Sequence, residues 1–210
     1  VTKFFAALTL TLLCSGCALT TAQIDVPYQP ASSATVSVPN ATNVSVAVST
    51  SDGRTTYRDR VSSKKNGYGM EMAAIISSND IPTTITNAFN QELSARGFKV
   101  GSQGAAVQVE LVRFYNDFKT GFFAGDAVAN VGFNVKVSSP SAGIAFTKFY
   151  EGNGTEANIG VMGGDNARAA LIKAFTASVN SAVNDPDFVH ALLAAGGQAP
   201  KSMAMAHPGS

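Results

Sequence analysis

Apolar and polar residues alternate through Val44, Val46 and Val48 against Ser45, Ala47 and Ser49, the period of a half-buried strand. Ala73 to Ser77 predicts a short second strand. The period then lengthens: Ile81, Ile85, Phe89 and Leu93 recur every fourth residue, one apolar stripe of a helix. Asn79 or Asp80 caps that helix, Pro82 suits its first turn, and Gly97 ends it as a left-handed cap. Alternation returns at Val107 to Leu111 and again at Val131 to Val137. Ile144 to Tyr150 makes a fifth strand, joined to the fourth by the turn residues Ser139, Pro140 and Ser141. Asn153 to Gly164 is glycine-rich and without period, and reads as a loop. Asp165 opens a second long helix with Leu171, Phe175 and Val179 on one stripe. Asp185-Pro186 breaks it and starts a short helix through Phe188 and Leu192.

The order β-β-α-β-β-β-α predicts an α+β fold: a single domain with a mixed or antiparallel sheet of four to five strands and two main helices packed on one face. That domain spans residues 44–195, and residues 196–210 form a tail without periodicity, expected to be disordered.

Ahead of the domain, Lys3, the apolar run Phe4 to Leu13 and Cys14-Ser15-Gly16-Cys17 have the three-part form of a secretory signal. The ten-residue apolar run is about half the ~20 residues a transmembrane helix needs. Small residues before Cys17 resemble a lipobox, which makes 1–16 a lipoprotein signal peptide and Cys17 the acylated residue, carrying chains such as palmitate. Cys14, where Leu is usual, is the departure from that pattern. By the sorting rule of the Gram-negative lipoproteins that this lipobox resembles, Ala18 after Cys17 implies release to the outer membrane, with the domain expected in the periplasm. Residues 17–43, rich in Thr, Ser, Ala and Pro, read as the lipidated Cys and a flexible tether. The 26 residues after Cys17 could reach ~85–95 Å at full stretch, so the domain is expected to sit clear of the head groups.

Composition narrows the function. Fifteen basic and 14 acidic residues become 14 of each once Lys3 is removed, so the mature chain has no net charge. A nucleic-acid binder needs a basic footprint, and no nucleic-acid partner is expected. His190 and His207 are the only histidines, and no Cys/His cluster has zinc spacing, so no metal and no cofactor are expected. Gly160 to Gly164 lacks the spacing of a phosphate loop. The carboxylates could pair as Asp117 with Asp126, or Asp185 with Asp187, but no hydrolase signature accompanies them. No catalytic residues are assigned, and the chain reads as non-enzymatic. The loop carrying Arg54, Arg58, Arg60, Lys64 and Lys65 reads as a solvated charged face, with contact to an anionic envelope surface as the alternative.

The densest feature is aromatic. Of the 16 aromatic residues outside the signal, five fall between Phe114 and Phe123. Alternation carried on from Val107 sends Phe114 and Phe118 to the face opposite Leu111. Gly121 and Gly125 let the chain turn, with Phe122 and Phe123 near a hairpin tip. These rings either fill the core beneath the helices or, outside it, mark an interface.

The segments Lys65-Asn-Gly-Tyr-Gly-Met70, Leu93-Ser-Ala-Arg-Gly-Phe98, Phe114-Tyr-Asn-Asp-Phe118, Gly121-Phe-Phe-Ala-Gly-Asp126 and Gly164-Asp-Asn166 resemble the YajG family of bacterial lipoproteins, over roughly Val44 to Leu193. The resemblance implies a lipid-anchored periplasmic α+β domain of unassigned biochemical role, and it carries no catalytic residue. The expected function is a protein-binding or envelope-assembly module, with membrane attachment through Cys17 and an envelope protein as partner. The candidate partner-binding residues are Tyr68, Phe114, Tyr115, Asp117, Phe118, Phe122, Phe123 and Asp126. The alternative is a carrier or sensor of an amphipathic envelope ligand, a lipid or peptidoglycan fragment, which requires an apolar cavity between sheet and helices.

Overall fold

The computed structural model describes residues 19–31, 36–121, 124–139 and 143–197. Cys17, Phe122, Phe123 and the tail from residue 198 lie outside them. Eight strands form two sheets. The larger has the order β5-β2-β6-β7-β8, from β5 (Lys99–Val100), β2 (Ser45–Asp52), β6 (Ala105–Lys119), β7 (Gly125–Ser139) and β8 (Gly143–Ile159). Strand β2 runs parallel to β5 and β6, and β6, β7 and β8 form an antiparallel meander. The smaller sheet has the order β1-β4-β3, from β1 (Ala22–Ile24), β4 (Glu71–Ser77) and β3 (Ser62–Lys65). The mixed five-strand sheet and its helices agree with the α+β architecture the periodicity predicts; the second sheet is additional.

The helices α1 (Ile81–Ala95), α2 (Gly164–Val183) and α3 (Pro186–Ala195) pack against the larger sheet. The Asp80 side chain caps α1, accepting from Thr83 N at 2.9 Å, and Gly97 follows at φ +100°. On β7 the inward residues Ala127, Ala129, Val131, Phe133, Val135 and Val137 are fully buried. Edge-to-face rings join the layers, Phe89 with Phe133 at 5.5 Å and Phe114 with Phe175 at 5.9 Å.

Four readings of the sequence change. First, the pairing of β6 with β7 shifts register between Leu111 and Arg113. An extra residue on one strand reverses the parity of everything after it. Phe114 and Phe118 therefore join Leu111 on the buried side instead of opposing it, at 1% and 2% exposure.

Second, the glycine-rich stretch from Asn153 is strand, not loop, as far as Ile159. Helix α2 crosses β8 there on small residues: Ala170, Ala174 and Ser178 are all fully buried. A Cβ on Gly152 would strike the backbone at Ala174 and Ser178. The lack of side chains, read as looseness, is the condition for this close approach. The helix itself starts at Gly164 with Gly163 as its N-cap, so Asp165 lies in its first turn.

Third, much of the expected tether belongs to the fold. Strand β1 pairs parallel with β4, Ala22 opposite Ile75. Ile24, Val26 and Ala41 are buried. Val26 N donates to Asn79 Oδ1 at 3.0 Å, and Tyr28 packs edge-on against Phe175 at 5.3 Å. Isolated apolar residues among Thr, Ser and Pro carry no period, so each looked like linker although each fills a core position. The Tyr28 hydroxyl donates at 2.7 Å to Glu92, which forms a buried ion pair with Arg96 one helical turn on. Arg96 also donates to Asn184 Oδ1 at 2.7 Å, tying α1, the end of α2 and the amino-terminal segment together.

Fourth, the basic loop contains β3, which lies along the far half of β6. Asn116 N donates to Val61 O, and Ser62 Oγ to Asn116 O, both at 2.8 Å. Strand β2 pairs with β6 only as far as Leu111, so the small sheet covers the edge that β2 leaves open.

Candidate functional site

The aromatic segment divides by burial. Phe114 and Phe118 are core residues, and Tyr115, at 6% exposure, stacks on Tyr57 with ring centroids 4.0 Å apart. None of the three offers a ring to a partner, so for Phe114, Tyr115 and Phe118 the core alternative holds and their place among the candidate partner-binding residues is corrected. The physical reason is the bulge before Arg113 on one side and the covering loop of Tyr57 on the other. Tyr68 stands at 90% exposure.

The acidic candidates are committed to neighbours. Asp117 sits between Lys65 Nζ and Lys119 Nζ, each at 2.6 Å. Burial opposes its ionisation, but the two ammonium groups outweigh it and hold its carboxyl below the usual range. Asp126 accepts from Asn158 N at 2.9 Å. Asp185 caps α3 by accepting from Asp187 N at 2.9 Å, and also accepts from Lys148 Nζ at 2.7 Å and Tyr150 Oη at 2.6 Å. Burial again opposes ionisation, and those donors again prevail, so its pKa is lowered. The same hydrogen bond, after burial, drives the Tyr150 phenol upward.

The basic loop is largely neutralised from within. Buried Arg54 grips Asp52 with two donors, Nε at 2.9 Å and Nη2 at 2.8 Å. Its Nη1 also holds the Tyr57 carbonyl at 3.2 Å. The hydrogen bond from Arg54 lowers the Asp52 pKa. Arg60 pairs with Asp59 at 3.1 Å. This loop is braced by its charges rather than offering them to an anionic surface. Among the described residues, no three His, Cys, Asp or Glu side chains gather as a metal site.

Between the larger sheet and the helices, among the described residues, Phe89 packs on Phe133, Phe114 on Phe175, and α2 directly on β8. On the opposite face of the sheet Ser49, Ser51, Gln108, Glu110 and Thr147 are exposed. That face holds a groove of about 630 Å³ built from four strands: Ser49 and Ser51 from β2, Gln108 and Glu110 from β6, Asn134 and Lys136 from β7, and Thr147 from β8. Asn134 Nδ2 donates to Glu110 Oε2 at 3.1 Å across its floor. Phe149, half exposed, lies over Gly132 on the same sheet. Sequence reasoning passed over this site. The outward positions of alternating strands were its signal, but alternation cannot say that four such sets curve around one hollow.

A second surface gathers at one end. The tip of the β3–β4 hairpin carries exposed Tyr68 and Met70, and a Cβ at Gly69 would touch the side chain of Thr120, just past β6, at 3.5 Å. Met162 packs on Gly125, where β7 begins, and Val161 beside it is 73% exposed.

A family model described as an uncharacterized lipoprotein, Lipoprotein_16, matches residues 30–193. The chain belongs to this YajG-type lipoprotein family. Membership implies a lipid-anchored protein of the cell envelope. No curated protein matches the sequence. Among solved structures, protein XCC0632 from Xanthomonas campestris is similar in fold, at TM-score 0.52 and 14% identity over 85% of this chain and 98% of that one. An uncharacterized protein aligns at TM-score 0.45 and 8% identity, over 77% of this chain and 95% of that one. A minor lipoprotein from Acinetobacter baumannii aligns at TM-score 0.31 and 4% identity, over 54% of this chain and 66% of that one. These likenesses concern architecture and assign no role to this lipoprotein.

Proposed function

We propose that this lipoprotein is a non-catalytic binding module, anchored to the outer membrane by acylated Cys17, that holds an extended segment of an envelope protein in the groove on the open face of its larger sheet. The groove itself carries the reading. Hydroxyl and amide groups on Ser49, Gln108, Asn134 and Thr147, with one charge of each sign on Glu110 and Lys136, suit the alternating donors and acceptors of a polypeptide. An acyl chain would leave those groups unsatisfied. Support for a non-catalytic role comes from the acids: Asp52 is committed to Arg54, Asp117 to Lys65 and Lys119, and Asp185 to Lys148 and Tyr150. Ala18 beside Cys17 supports the outer-membrane address.

A photo-cross-linking amino acid placed at Gln108 or Lys136 should capture the same envelope protein in cells. A probe at exposed Thr83 on α1 should not, and Asn134→Arg should abolish the adduct. Equal capture from all three positions, or saturable binding of soluble muropeptides in place of any protein, would reject the reading. Anchoring is tested separately: the wild type should incorporate labelled fatty acid and Cys17→Ala should not.

A further inference from the structure

The fold shortens the tether to a few residues. Strand β1 begins at Ala22, so only residues 18–21 separate it from Cys17, a reach of ~16–18 Å at full extension. The start of β1 is fixed in the small sheet by its pairing with Ile75 and Ile76. If Cys17 is acylated, the surface around Ala22 cannot stand off from the leaflet as a long coil would allow.

What surrounds Ala22 follows from strand direction. Because β1 and β4 are parallel, the chain arrives from Cys17 on the side where β4 begins, at the tip of the β3–β4 hairpin. Ala22, Lys64, Asn66, Met72, Val161 and Met162 line one cavity of about 520 Å³ there. The exposed groups of this end are Leu19 at 63%, Tyr68 at 90%, Met70 at 58% and Val161 at 73%. These are four of the nine large hydrophobic side chains exposed among the described residues, drawn from three separate stretches of chain. Lys64 and Lys65 line the same cavity, with Lys65 paired to Asp117. Apolar and tyrosyl tips gathered at one end are the composition of a surface that enters a head-group layer.

From these observations we infer that the loop end bearing Tyr68, Met70 and Val161 rests in the lipid head groups of the leaflet that holds the acyl chains. The occupant of this surface is lipid, not a protein. The inference rests on acylation of Cys17, not on the groove. It also sets the orientation: β7 runs nine residue steps from Gly125 to Asn134, roughly 30 Å, which carries the groove away from the leaflet.

The test uses the acylated full chain, purified from membranes and reconstituted into phosphatidylcholine vesicles doped with doxyl-labelled lipid. An environment-sensitive dye is attached to single cysteines in Tyr68→Cys, Val161→Cys and Gln108→Cys variants. Quenching at positions 68 and 161 should exceed that at 108 by at least threefold. Equal quenching at the three positions, with the protein still vesicle-bound, would overturn the docked orientation while leaving anchoring intact. Loss of labelled fatty acid from wild-type protein would overturn the anchoring premise instead. Thermal midpoints within 2–3 °C of wild type, a small shift for a domain of this size, show that the labelled variants are folded. A Met70→Cys label substitutes for any variant outside that range.

Discussion

A methyl group on Gly154 would collide with the backbone carbonyl oxygen of Ala170, so helix α2 lies directly upon the main chain of β8. Neither partner can retreat, because both are backbone and α2 is buried along Ala167, Ala170, Ala174 and Ser178. Gly154→Ala should destabilise the fold by about 1–3 kcal/mol, the usual cost of overpacking, or more. Gly132→Ala is the control: its methyl would meet the ring of half-exposed Phe149 at 2.8 Å, and that ring can swing aside. Urea midpoints should fall sharply for Gly154→Ala and little for Gly132→Ala. The same small loss for both would mean that the helix can lift.

Phe114 and Phe118 lie in the core while Tyr68 is in solvent. Phe118→Ala should cost about 3–5 kcal/mol, as truncating a buried ring does. Tyr68→Ser should stay within about 0.5 kcal/mol of wild type, as surface changes do. Chemical denaturation distinguishes the two, and a stable Phe118→Ala would return that residue to the list of surface candidates.

Glu92 and Arg96 form a buried ion pair that also receives Tyr28 and reaches Asn184. Arg96→Ala leaves a carboxylate buried without its cation and should cost about 3–5 kcal/mol. Tyr28→Phe should cost about 1–3 kcal/mol, the range for a hydrogen bond to a charged group. It should also speed limited proteolysis of residues 25–40, because that hydrogen bond fastens the amino-terminal segment to α1. Unchanged cleavage would mean that burial of Val26 and Ala41 suffices.

Stability should form a plateau in pH with two shoulders. Asp52, Asp117 and Asp185 have lowered folded pKa values, so their contribution is present above the unfolded carboxyl value of ~3.9 and is lost as pH falls through the folded ones. Tyr28 and Tyr150 have raised values: burial comes first, then the hydrogen bonds to Glu92 and Asp185. Their contribution is complete below the unfolded phenol value of ~10 and is lost as pH rises beyond it. Urea midpoints measured against pH should lose part of the acid shoulder in Asp52→Asn and part of the alkaline shoulder in Tyr150→Phe. A profile unchanged in both variants would contradict the assignment.

The periodic elements were legible because each buries one face, and a period of two or of nearly four records which face. That reasoning reached α1, the short helix after Asp185 and the cores of β2, β6 and β7. It stopped at Arg113, where a single extra residue reversed the inward set, and at Asn153, where glycine served close packing instead of freedom. The groove was hidden for a related reason. Gln108, Glu110, Asn134 and Lys136 each read as an ordinary solvent position, and only sheet curvature joins them.

By itself the sequence determined the α+β class, the near balance of basic and acidic residues and membership of a lipoprotein family. Those properties depend on local composition and on spacing within one element. Tertiary structure alone decided which aromatic rings are core, which residues ahead of Val44 pack into the fold and which face stays open. Each depends on contacts between residues far apart in the chain, such as Ala22 with Ile75, Tyr28 with Glu92 and Gly154 with Ala170. No local pattern encodes such pairs, because the free energy that selects them belongs to the assembled core.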